Sequence, residues 1–133
     1  MQEKPPLFTF LSFIMERVTI TKAAAELVAK VVRDQGELIF HQSGGCCDGS
    51  APMLLNKEDF YIDDSDVLLG EISGIPFYMN ADQFEYWKHT HLTVDIVEGR
   101  GASFSLEIPY GFRFLVHSRL FTDAENAQLN PPS

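Results

Sequence analysis

The feature that most constrains the fold is one amphipathic helical pattern, followed by short segments in which apolar and polar residues alternate. Thr21 can cap the start of this helix, and Gly36 follows its end. A helix with one buried face needs an apolar surface to pack against, so the later segments must supply one. The helical pattern consists of apolar residues at spacings of three and four, namely Ala24, Leu27, Val28, Val31 and Val32.

The alternating segments predict strands that provide this surface. Ser73 and Gly74 separate two of them as a hairpin turn, and Asn80 begins a short helix that reaches Trp87, with Gln83 in the capping-box position. This order predicts an α+β fold, compact and mostly β, with one long N-terminal helix, one short helix and a mixed or antiparallel sheet. The predicted strands are residues 18–20, 38–40, 53–55, 60–62, 67–72, 75–79, 92–96, 103–107 and 112–116.

The length of 133 residues predicts a single domain. We assign residues 18–122 to that domain and residues 1–17 to an N-terminal extension, with Met15 as an alternative natural start. Residues 123–133 are polar and contain two prolines, so we expect a flexible tail there.

The charge balance argues against several classes of partner. The chain has 19 acidic and 10 basic residues, for a formal net charge of −9. Nucleic acids and anionic membranes attract positive patches, so we expect neither as a partner. No run of about 18 apolar residues exists, and no membrane span is expected. The only two cysteines are adjacent and cannot staple a domain, which favours a reducing, cytoplasmic setting.

Residues 41–50, with the sequence HQSGGCCDGS, are the candidate site. Their glycines favour a loop. Adjacent Cα atoms lie about 3.8 Å apart, below the usual disulfide range that starts near 4.4 Å, so Cys46 and Cys47 are expected as two thiols. The alternative is a strained, reducible disulfide between them. Thiolates with an imidazole suit zinc or iron, and His41 and Asp48 add ligand types nearby. The alternative is a well-packed turn with inert thiols.

Four further segments resemble the HesB/IscA-like domain of the A-type iron–sulfur carriers. They are residues 18–25 (VTITKAAA), 44–46 (GGC), 92–99 (LTVDIVEG) and 102–109 (ASFSLEIP). The resemblance implies a compact, mostly β, HesB-like domain.

The carriers also place a Cys-Gly-Cys near their end, and the matching residues here are 115–117 (LVH). The resemblance therefore carries over Cys46, places His117 where the second terminal cysteine would stand, and disfavours an iron–sulfur cluster. A mononuclear metal site that uses Cys46, Cys47 and His117 stays open.

A second resemblance covers nearly the whole chain after Met15. Residues 41–50, 65–71 (SDVLLGE) and 83–87 (QFEYW) are similar to the hallmarks of the bacterial domain of unknown function 779 family. Members of that family are often encoded beside aldehyde dehydrogenases. The resemblance therefore implies a role in aldehyde or alcohol metabolism, with an aldehyde dehydrogenase as the expected partner.

These observations lead to three functional hypotheses. In the first, the chain is a non-enzymatic accessory protein that binds a metal ion or exchanges thiols through Cys46 and Cys47. In the second, it is a small enzyme in which one thiolate attacks an aldehyde-derived or disulfide substrate, with His41 or His117 as base. In the third, the loop is structural and the protein only pairs with another subunit. A homodimer is expected, because two loops meeting across a twofold axis would supply four thiolates.

Overall fold

The computed structural model of the protein describes residues 16–42, 51–99 and 105–130. They form an α+β fold of seven strands and three helices. Among these residues, no helix is long and apolar enough to cross a membrane. In chain order the elements are β1 (Val18–Ile20), α1 (Lys22–Gln35), β2 (Leu38–Gln42), β3 (Met53–Asn56), β4 (Asp66–Ile72), β5 (Ile75–Asn80), α2 (Ala81–Trp87), β6 (Thr90–Glu98), β7 (Phe112–Leu120) and α3 (Asp123–Leu129).

Helix α1 forms where the sequence predicts it. The Thr21 hydroxyl accepts a hydrogen bond from the Ala24 amide at 3.2 Å, and Gly36, at φ +90°, donates its amide to the Val32 carbonyl at 2.9 Å. The predicted buried face is confirmed except at its end, where Val32 is 38% exposed. Val32 lines a cavity of about 480 Å³ beside the β4–β5 turn.

The strands form two mixed sheets, where a single mixed or antiparallel sheet was predicted. The three-stranded sheet has the order β1-β6-β7, with β1 parallel and β7 antiparallel to β6. The four-stranded sheet has the order β3-β2-β5-β4, with β5 parallel to β2 and the outer strands antiparallel to their neighbours. Strand β2 is therefore central in its sheet.

The core lies between the two sheets and α1. Phe40 of β2 stacks on Phe77 of β5 at 5.7 Å between ring centroids, and it meets the edge of Phe114 of β7 at 5.1 Å. These rings join the two sheets. The sheets also approach at their edges, because a Cβ atom at Gly70 of β4 would lie 3.5 Å from Val18 of β1.

Three local predictions are wrong. Residues 60–62 are irregular and follow a single 3₁₀ turn at Lys57–Asp59, and residues 105–107 form a turn where a strand was expected. The Asn80 side chain accepts from the Asp82 amide, and the Gln83 side chain oxygen has no hydrogen-bond partner in the described part of the chain. The capping box forms instead at the start of α3, between Thr122 and Glu125.

Helix α3 was not predicted, because residues 123–129 were assigned to the tail. Arg17 ties this helix to the domain by donating to the Leu129 carbonyl and to Asn130 Oδ1, both at 2.6 Å. The guanidinium lies over the rings of Phe84 and Phe121, at 5.0 and 5.8 Å from their centroids.

Candidate functional site

The site is built around the end of β2, where the chain enters the cysteine segment. All five residues of β2 are buried, and His41, its fourth residue, is 5% exposed. Strand alternation places His41 on the face opposite Phe40, so its ring lies on the outer face of the four-stranded sheet. Register then places Met53 of β3 and Tyr78 of β5 on either side of His41.

A buried carboxylate holds the His41 ring. His41 Nε2 lies 2.9 Å from Asp66 Oδ1, and both side chains are 6% exposed. Asp66, the first residue of β4, reaches His41 across β5. Its second oxygen accepts from the Asp63 amide at 3.0 Å, and the Phe60 ring lies 4.6 Å from the imidazole. The position of the ring is therefore fixed from several sides.

The hydrogen bond to Asp66 also decides which ring nitrogen is available. A carboxylate accepts, so His41 donates from Nε2 and the neutral ring carries its lone pair on Nδ1. Nδ1 is buried and has no hydrogen-bond partner among the described residues. An imidazole whose second nitrogen donates to a carboxylate is the usual arrangement of a metal-binding histidine, and also of a catalytic base.

The other predicted ligands are His117 and three residues of the cysteine segment. Cys46, Cys47 and Asp48 lie outside the described residues. His117 lies on β7 of the other sheet, where its Nε2 is 3.0 Å from Asp95 Oδ2. In residues 16–42, 51–99 and 105–130, no three His, Cys, Asp or Glu side chains are grouped as a metal site.

The His117 pair differs from the His41 pair in its surroundings. The His117 side chain is 52% exposed and that of Asp95 is 30% exposed. The hydrogen bond from His117 lowers the pKa of the Asp95 carboxyl below its ordinary value, although partial burial opposes this. Asp95 also accepts from the Thr21 hydroxyl at 2.9 Å, so it joins β6 to the cap of α1.

The sequence analysis missed a buried carboxyl at Glu107, which is 2% exposed. The Ser105 hydroxyl donates to Oε1, and the Phe114 amide donates to Oε2 at 3.2 Å. Ser105 Oγ in turn accepts from the Leu54 amide at 2.8 Å, so this group links β3 to β7. Burial raises the pKa of the Glu107 carboxyl despite these bonds. A strand at 103–107 with Leu106 inward would have turned Glu107 outward, and no sequence signal corrected this.

Asp66 was missed for a related reason. The four residues 63–66 are rich in aspartate and predict a solvated turn, which Asp63 indeed forms with Ser65. Only the pairing of β4 with β5, and of β5 with β2, places Asp66 beside His41.

A match to a known family covers well over half of the chain. Residues 27–120 match the family described as Domain of unknown function (DUF779). The chain belongs to this family. The DUF779 region includes His41, Asp66, Glu107 and both members of the His117 pair, whereas β1 and α3 lie outside it. No curated protein matches the chain significantly.

Proposed function

We propose that this DUF779 protein is a non-enzymatic accessory protein that binds a transition metal ion, or exchanges thiols, through His41 and the cysteine segment that follows it. The observation that carries the proposal is His41 Nδ1, a buried lone pair with no hydrogen-bond partner among the described residues. A buried polar atom left unsatisfied costs about 1–3 kcal/mol. A bound group at Nδ1 would remove that cost.

The donor set fits zinc or iron. His41 would supply a nitrogen of a ring that its hydrogen bond to Asp66 holds in place, and Cys46 and Cys47 would supply thiolates. Five residues of extended chain span up to about 17 Å, so chain length permits a thiolate and the imidazole to share one ion. Asp48 would supply the oxygen of a fourth ligand. His117 stays a separate prediction, since it lies on β7 of the other sheet.

The family resemblances complete this proposal. Because members of the family are often encoded beside aldehyde dehydrogenases, the proposal includes a role in aldehyde or alcohol metabolism, with an aldehyde dehydrogenase as partner. It also includes a cytoplasmic setting, which cysteine usage favours. A relation to the HesB/IscA-like domain is supported by the four matching segments and is part of the proposal. A homodimer would let two cysteine segments share one ion.

Elemental mass spectrometry on protein purified without a metal-affinity tag tests the proposal. We expect zinc or iron near one per chain or one per dimer in the wild type, and its loss in Cys46→Ser, Cys47→Ser and His41→Gln. His89→Gln is the matched control, because His89 is exposed and bonds Asn126 of α3 at 2.8 Å.

Metal-free wild type, or full metal in both cysteine variants, would contradict the metal form of the proposal. Circular dichroism checks that each variant is folded. The cysteine variants keep the test valid if His41→Gln destabilises β2.

The same geometry favours a second candidate, a cysteine-dependent enzyme. In cysteine-dependent enzymes, a histidine held by an aspartate can act as the base that activates the thiol. Here Asp66 holds His41, and the length of the chain lets a cysteine thiol reach it. Its substrate would be an aldehyde-derived compound or a disulfide. In this case alkylation rates would show a thiol pKa below the ordinary value of about 8.5, raised again in His41→Gln, together with turnover. Stoichiometric metal with no turnover would reject the enzyme.

A further inference from the structure

The outer face of the four-stranded sheet carries a row of side chains that crosses all four strands. Met53 lies opposite His41, His41 opposite Tyr78, and Tyr78 opposite Leu68. Residues paired in this way point to the same side of a sheet. The buried residues of α1 and α2 belong to the core on the opposite face. This outer face therefore lies on the far side from the core, with His41 buried at its centre and Leu68 exposed at its β4 edge.

Part of this surface is open to solvent. Leu68 is 52% exposed and Tyr61 is 85% exposed, whereas Tyr78, Met53 and Leu55 are half-buried. Tyr61 follows Phe60, whose ring lies on His41, so this segment crosses the same face. We call Leu55, Tyr61, Leu68 and Tyr78 the outer patch. Large apolar side chains exposed on one face are typical of interaction surfaces.

Carboxylates accompany the patch along the chain. Residues 57–71 contain six acidic residues and one lysine, Lys57. The acidic side chains at 58, 59, 63, 64 and 71 are exposed. Asp63 is held in its charged form, because hydrogen bonds from Ser65 lower its pKa. Tyr61 lies between these carboxylates in the chain, and Glu71 pairs with Pro76, which shares a face of the sheet with Tyr78. We call the exposed carboxylates at 58, 59, 63, 64 and 71 the acidic rim.

We propose that the outer patch is a docking surface for a protein partner whose contact face is apolar at its centre and carries lysine or arginine at its edge. Burial of Leu68 and Tyr61 supplies the attraction, and the acidic rim selects a basic partner and speeds its approach. A second copy of this chain is disfavoured, because a twofold interface would bring the same acidic rim against itself. The proposal does not depend on a metal or on the thiols.

A synthetic peptide pair tests the chemistry of the partner on the full chain. The probe is a fluorescein-labelled amphipathic helix of leucine and lysine, and its control replaces every lysine by glutamate. Fluorescence anisotropy should show binding of the leucine–lysine peptide and none of its acidic counterpart. Leu68→Ser and Tyr61→Ser should each weaken binding about tenfold, which corresponds to about 1.4 kcal/mol. Leu120→Ser, at a residue that is 76% exposed on the end of β7, should leave it unchanged.

A charge-matched pair of variants tests the rim. Asp59→Asn with Asp64→Asn should weaken peptide binding several-fold at low salt, and the difference should vanish at high salt. Glu26→Gln with Glu98→Gln removes the same charge from exposed positions elsewhere and should have little effect.

Three results would overturn the proposal. They are equal binding of both peptides, an equal loss of affinity in Leu120→Ser and Leu68→Ser, and a dimer in sedimentation that Leu68→Ser abolishes. The last of these would assign the patch to a second copy of the chain.

Discussion

The two sheets each carry a histidine–aspartate pair on the outer face, and the pairs are almost identical in length. His41 and Asp66 are 2.9 Å apart, and His117 and Asp95 are 3.0 Å apart. Their exposure differs greatly, since both side chains of the first pair are 6% exposed, against 52% and 30% in the second.

This difference teaches that contact distance alone does not measure what a pair contributes. An exposed pair competes with water and contributes about 0–1 kcal/mol, whereas breaking a buried pair by removing one partner costs about 3–5 kcal/mol. Among the residues that the structure describes, the buried His41 Nδ1 also has no hydrogen-bond partner. The candidate site therefore lies at the buried pair.

The largest expected effect is the loss of stability in Asp66→Ala, which we compare with the smaller loss in Asp95→Ala. Asp66→Ala leaves the His41 Nε2 proton and the Asp63 amide without their acceptor, so we expect a loss of about 3 kcal/mol in the free energy of unfolding. Asp95→Ala should lose about 1 kcal/mol or less, because water replaces most of its bonds. Urea unfolding measures both, and similar losses would remove the distinction between the pairs.

The pH dependence of stability tests whether the buried carboxyl of Glu107 behaves differently from an exposed carboxyl. Burial raises the pKa of Glu107, so the native state holds this proton more tightly than the unfolded chain does. The contribution of Glu107 to stability should therefore be present below its unfolded pKa, near 4.5, and decline as pH rises through its native pKa. Glu107→Gln keeps a neutral side chain and should abolish that decline.

Urea midpoints taken across this pH range, for the wild type and for Glu107→Gln, test the prediction. An unchanged slope in the variant would show that Glu107 is not the group responsible. Glu125→Gln serves as the control, because its pKa is shifted in the opposite direction.

The smallest expected effect concerns the ion pair of α3. Arg119 donates to both oxygens of Glu125, at 2.7 and 2.9 Å, and this lowers the pKa of Glu125 to about 2. The contribution of the pair is present above the unfolded pKa of 4.5 and is lost as pH falls towards 2. In Arg119→Ala, the thermal unfolding midpoint should therefore fall less between pH 4.5 and pH 2 than in the wild type. The same fall in both proteins would count against a contribution from the pair.

Local patterns were predicted well because neighbouring residues decide them. The Thr21 cap, the buried face of α1 and the Ser73–Gly74 turn each depend on a few adjacent residues, and each is present. Errors occur where a local signal has two possible outcomes. Gln83 and Glu125 occupy the same position relative to a capping residue, and only Glu125 completes the box. Arg119 also bonds Glu125, a contact that its position in the sequence does not reveal.

By itself, then, the sequence determined the α+β class, most strand positions and the family. Only the tertiary structure decided that Asp66 is the partner of His41, that His117 belongs to the other sheet, and that Glu107 is buried. The physical reason is that each of these contacts joins residues far apart in the chain. Helix periodicity and turn composition are local, whereas the burial of a carboxylate depends on which strands pair across the sheet.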